Sequence, residues 1–268
     1  SKSNKENKPK ENIELINDNL IIQNINLPYY YVNLYLILNL SENNLDDFQL
    51  IHLINYLIGL EFIDSFCYVL KENDISNDIL STIDHYYDLQ TVISVNVKFN
   101  NTKYFNDIIN YFNTYINQLL NITFNDFKKI YNNLKKINEL KIKFKDKPNP
   151  MNITSNIVEN LIRCNNFEYS LYYKYLMNEI TNEIYNKFID VIKNYKIKII
   201  TNYNIEKLPF NKIDKYYNSK YIISNVKIKN VKNIKYDILN SIILNNNIHS
   251  EKIIKNCEKY PIKINKYY

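Results

Sequence analysis

Gly59 is the only glycine in 268 residues. A loop that cradles nucleotide phosphates brings several backbone N–H groups up to the ligand, and only a run of glycines lets it do so. A Walker or Rossmann loop is therefore excluded. The same scarcity makes Gly59 the one residue here with free access to positive φ, so a helix leading up to it should end there.

The remaining composition belongs to a chain that folds. Hydrophobic residues make up 46%, charged residues 23% and aromatic residues 14%, which excludes a disordered chain and allows one large core or two smaller ones. Asn, Lys or Asp interrupts every apolar run before the ~18 residues that a membrane span needs, and no membrane partner is expected. Asn, Ile, Lys and Tyr dominate, alanine is absent and Arg163 is the only arginine, the bias that AT-rich codons impose. The net charge of +6 is thus a weak functional signal. A single arginine disfavours bidentate recognition of phosphate or guanine, and no nucleic-acid partner is expected. A basic nucleic-acid-binding module stays open as an alternative, and it requires the lysines to cluster on one face.

Cys67, Cys164 and Cys257 are far apart and odd in number, so reduced, mostly buried thiols are expected. Residues 1–12 are polar and rich in Lys, Asn and Glu. They read as a disordered lead-in with no signal peptide, pointing to a cytoplasmic or organellar setting, and the missing initial methionine suggests a segment excised from something longer.

Residues 13–268 read as a single α+β domain whose last part, about 229–268, leads toward an interdomain linker. In residues 31–40, Val32, Leu34, Leu36, Leu38 and Leu40 share one face while Tyr31, Asn33, Tyr35, Ile37 and Asn39 share the other, the pattern of a half-buried strand. Ser41 then starts a helix in which Phe48, Ile51, Ile54, Leu57 and Ile58 recur at helical spacing. Residues 62–70 suggest a second short helix. Strands follow at 79–85 and 90–99, the latter with one covered and one wetter face, as in an antiparallel sheet. Asn101 or Thr102 caps a helix carrying Phe105, Ile108, Phe112, Ile116 and Leu119, and residues 125–143 repeat that pattern. Beyond a break at Pro148 and Pro150, helices are expected at 153–162, 172–193 and 234–245, with strands at 196–203 and 221–228. Strands followed by helix pairs, twice over, indicate an antiparallel sheet with helices packed on one face.

Little in this chain supports catalysis. His52, His85 and His249 have no partner at i+3 or i+4, whereas a zinc site usually takes two ligands from one helix turn. No cofactor is expected within the chain. The cysteines lack a nearby histidine, the serines lack a G-x-S-x-G elbow, and nothing marks a raised pKa in Asp46 and Asp47 or in Glu61 and Asp64. These residues alone describe a non-catalytic α+β domain.

Residues 142–161, "IKFKDKPNPMNITSNIVENL", resemble the "F-K-E-K-x-x-P-x-x-Y-x-S-x-L-x-x-x-L" stretch in the second domain of insulysin- and pitrilysin-type metallopeptidases. The matching residues are Phe144, Lys145, Asp146, Lys147, Pro150, Ser155 and Leu161, with Ile153 where an aromatic residue is usual. "LIGLEFIDSF" at 57–66 resembles the family's "L-I-G-H-E-G-P-G-S-L" turn and keeps Gly59, Glu61 and Ser65. Residues 91–119 resemble its strand and helix of the form "I-S-V-x-L-T-x-x-G-L…V…F-x-Y-I". Residues 195–202, "YKIKIITN", are similar to the strand before the interdomain approach. "YYNSKY" at 216–221 resembles "W-Y-G-T-x-Y".

The resemblance implies a division of labour. In the family, zinc sits in the first domain on an H-x-x-E-H motif, while the second domain repeats the fold without ligands and helps enclose a peptide chamber. This sequence lacks H-x-x-E-H and looks like that second domain. The expected partners are peptide substrates and the remaining domains of the parent, with self-association of the isolated piece. The family's second domain also anchors peptides on an edge strand, and the matching positions are Ser81, Thr82, Ile83, Asp84 and His85, with Asp84 placed to meet a peptide amino terminus. A catalytically inactive homologue acting as a structural or assembly subunit is the other reading the resemblance allows.

Overall fold

The computed structural model describes residues 19–41, 43–61, 65–86, 90–144, 149–164, 167–204 and 207–231. The lead-in at 1–12 and the helix expected at 234–245 lie outside them. Among the described residues, strands β1 (Leu20–Gln23), β2 (Tyr30–Leu38), β3 (Asp78–Tyr86), β4 (Thr91–Phe99), β5 (Lys196–Thr201), β6 (Lys212–Ile213) and β7 (Lys220–Ser224) form one sheet in the order β3-β4-β2-β5-β1-β7-β6. The helices are α1 (Leu45–Ile58), α2 (Phe66–Glu72), α3 (Phe105–Leu119), α4 (Phe124–Lys143), α5 (Pro150–Cys164), the single turn α6 (Phe167–Ser170) and α7 (Asn182–Lys193). This is an α+β fold.

Alternation decides which face of the sheet is covered. Val32, Leu34 and Leu36 of β2, Ile93, Val95 and Val97 of β4 and Ile199 of β5 are fully buried. They pack against α1, α2, α3, α4 and α7 in one core. Tyr31, Asn33 and Tyr35 point to the opposite, half-exposed face. The sheet is antiparallel at every pairing but one: β1 runs parallel to β5, with Leu20 opposite Ile199, so the sheet is mixed. Neither β1 nor β6 stands out in the sequence, because four and two residues are too short to display a period and both depend on distant partners.

The caps follow local chemistry and correct two expectations. Asn44, not Ser41, caps α1: its backbone is extended and its side chain accepts from Asp47 N. Asp47 then reaches back to accept from Ser41 N at 3.1 Å and pairs with Lys187. Helix α1 does stop at Gly59, but with φ −82° rather than positive φ. Positive φ falls instead on Asp74, Lys207 and Asn218. Asn101, the first of the two candidate caps, caps the 3-10 turn at Thr102–Tyr104 that leads into α3.

The continuous helix expected over 172–193 is interrupted. A 3-10 turn at Tyr173–Tyr175 gives way at Leu176 to extended backbone, and α7 begins only after Thr181, whose hydroxyl accepts from Ile184 N. A distant acceptor holds this break open. The side-chain oxygen of buried Gln49 takes the Asn178 N–H at 3.1 Å as well as the Tyr131 hydroxyl at 2.6 Å. Burial pushes the Tyr131 phenol above its ordinary range, with Asp46 and Glu179 adding to the shift, so it remains a donor.

Cys67 of α2 is a buried free thiol whose Sγ donates to the Ile58 carbonyl. Burial, with Glu61 nearby, pushes it up to about 11. At pH 8 very little thiolate exists, and access is closed. Native Cys67 is expected to alkylate with iodoacetamide at least about a hundredfold more slowly than in denaturant, followed by mass spectrometry of its peptide.

Candidate functional site

Among the described residues β3 pairs on one side only, with β4. Such an edge strand turns alternate N–H and C=O groups away from its partner, where they can bind another extended chain. All five sequence-derived positions, Ser81, Thr82, Ile83, Asp84 and His85, fall on this strand.

Their side chains divide between the two faces. Ile79, Ser81 and Ile83 stand opposite Val97, Val95 and Ile93 on the helix side, and the Ser81 hydroxyl donates to Asn55 of α1 at 2.8 Å. A Cβ at Gly59 would stand 3.4 Å from that of Ser81 and 3.3 Å from the Asn55 carbonyl oxygen, so α1 ends close against β3. On the other face, Thr82 donates to Asp84 at 2.8 Å and lies 2.9 Å from the Ser94 hydroxyl, so Ser94 donates to Thr82. The register slips between Ile83 and His85, a bulge that releases Asp84 from the ladder and leaves it exposed. Asp84 also bears on Tyr35, whose phenol is raised chiefly by burial and further by this carboxylate. His85 continues the strand opposite Val92.

Sequence reasoning missed a cleft of about 360 Å³ at the start of β3 and the end of β4. Its lining includes Tyr29, Asp74, Ser76, Asp78, Lys98 and Asn101. Lys98 Nζ is 2.5 Å from the Asp78 carboxylate and 5.4 Å from the Tyr29 ring centroid. The hydrogen bond to Asp78 raises the lysine above its ordinary value. The available signal was the density of Asp and Asn leading into β3 and directly after β4.

The other candidates resolve into structural roles. Asp46 accepts from the Asn178 side chain, Asp47 pairs with Lys187 and Glu61 pairs with Lys71, while Asp64 lies outside the described residues. His52 is on α1, packed 4.4 Å from Phe48, His85 is on β3, and His249 lies outside the described residues. Among the described residues no group of three or more His, Cys, Asp or Glu is placed to hold a metal ion.

No protein-family model matches this sequence, and no curated protein matches it. Solved structures do match in three dimensions. A crystal structure of pitrilysin superposes with a TM-score of 0.61 at 16% identity, covering 83% of this chain and 22% of that one. A conserved protein from Enterococcus faecalis V583 gives 0.46 at 15% identity, covering 72% of this chain and 43% of that chain. A protease from Helicobacter pylori gives 0.41 at 13% identity, covering 65% and 41%. The fold is pitrilysin-like, and the chain spans about a fifth of pitrilysin's length.

Proposed function

We propose that this chain is a non-catalytic domain of an insulysin-like zinc metallopeptidase, forming part of the wall of a peptide-enclosing chamber and offering β3 as a peptide-docking strand. The reading is carried by one observation: in a pitrilysin-like fold, the five positions that the family resemblance singles out lie at the edge of the sheet formed by the described residues. The ordered motifs at 57–66, 91–119 and 142–161 support it further. Peptide hydrolysis would rest with zinc-activated water held outside these 268 residues.

Strand addition works through the backbone, so it tolerates the divergence of these side chains. An unstructured, fluorophore-labelled peptide is expected to bind the chain in an anisotropy titration. N-methylating the alternate peptide amides that face β3 should weaken binding at least about tenfold, since two or more backbone hydrogen bonds are lost. Methylating the opposite set should change affinity by less than about twofold. Equal sensitivity to both sets, or to neither, would reject strand addition.

A further inference from the structure

Helix α4 carries six lysines against Asp126 and Glu139. Lys129, Lys136 and Lys143 are seven residues apart, and that spacing returns to nearly the same side of a helix. Lys129 pairs with Asp126 and Lys135 with Glu179. Among the described residues Lys136, Lys141 and Lys143 form no ion pair, and all three are exposed.

The end of the same helix runs past the core. Phe127, Ile130, Tyr131, Leu134 and Asn138 are its buried residues. Beyond them, over roughly one and a half turns, nothing is buried, and Leu140 and Phe144 are 53% and 72% exposed. These two lie four residues apart on one flank, and Lys143 Nζ sits 5.7 Å from the Phe144 ring centroid. Three cations and two large apolar side chains thus occupy one projecting tip.

We propose that this tip of α4 docks on an anionic phospholipid surface. Phosphate headgroups meet Lys136, Lys141 and Lys143, while the acyl boundary receives Leu140 and Phe144. Charge alone would suit any polyanion, but exposed apolar side chains beside the charge gain only where an apolar layer underlies the anions. Nucleic acid offers no such layer at its phosphates. This is peripheral attachment: among the described residues no helix is long and apolar enough to cross a membrane. It departs from the expectation of no membrane partner.

The absence of tryptophan supplies the assay. In the full 268-residue chain, Phe144→Trp creates a single-site fluorescence reporter. Its emission should shift to the blue with vesicles containing phosphatidylserine, and should not shift with pure phosphatidylcholine vesicles or with single- or double-stranded DNA. In co-sedimentation, reversing the charge at Lys136, Lys141 and Lys143 should cut vesicle binding at least about tenfold, and Leu140→Ser with Phe144→Ser should cut it comparably. Raising salt should weaken it. Far-UV circular dichroism confirms folding of each variant. Absence of vesicle binding overturns the proposal. So does vesicle binding that survives loss of both apolar side chains, or DNA binding of equal strength without a tryptophan shift, which would assign the tip to nucleic acid.

Discussion

Phe112→Ala should lower folding stability by about 3–5 kcal/mol, the cost of emptying a buried aromatic site. The ring is fully buried in α3. It meets Phe66 of α2 edge-on at 5.2 Å, and Phe66 in turn lies 6.3 Å from Tyr115. The Tyr115 hydroxyl donates to the Leu57 carbonyl of α1 at 2.6 Å, so one aromatic cluster ties three helices together over the sheet. Domains of this kind are stable by only about 5–15 kcal/mol, which leaves the variant close to its unfolding threshold at 37 °C. Urea denaturation followed by circular dichroism reads the loss as a lower midpoint. Phe112→Leu keeps most of the volume and should cost less than half as much. A cost below about 1 kcal/mol for the alanine variant would mean that α2 and α3 do not meet through this ring.

What the sequence made legible follows from the range of each signal. Strands β2 and β4 and helices α3 and α4 are visible because each carries its own period over nine to twenty residues. Strand β1 is not, since its four residues become a strand only between β5 and β7, far along the chain. The break before α7 is equally invisible: the acceptor that stabilises it, Gln49, lies 129 residues away. Gly59 misleads in a different manner. The sequence suggests a left-handed turn, whereas Gly59 ends α1 at φ −82°, and Asp74, Lys207 and Asn218 adopt positive φ instead. The candidate site divides the same way. That 81–85 is one strand can be read locally, but that this strand is an edge depends on which strands crowd the other end of the sheet. The cleft beside it draws its lining from around Tyr29, Asp78 and Lys98, three segments that no local pattern connects.

The covered and open faces of the sheet make opposite predictions for the same substitution. Leu34 of β2 is fully buried and stands between Val95 and Ile199, themselves fully buried. Leu34→Asp removes its packing and places a carboxylate where neither water nor a partner reaches it. The combined cost is at least about 5 kcal/mol, so the chain is expected not to fold, and far-UV circular dichroism with a solubility measurement reads this directly. Leu80 of β3 stands opposite Asn96 on the outer face and is 56% exposed. There Leu80→Asp meets solvent, and it should cost less than about 1 kcal/mol even allowing for the poor strand preference of Asp. The contrast tests which face of the sheet the helices cover. If Leu80→Asp destabilised as severely as Leu34→Asp, the outer face of β3 would have to be covered in the folded protein.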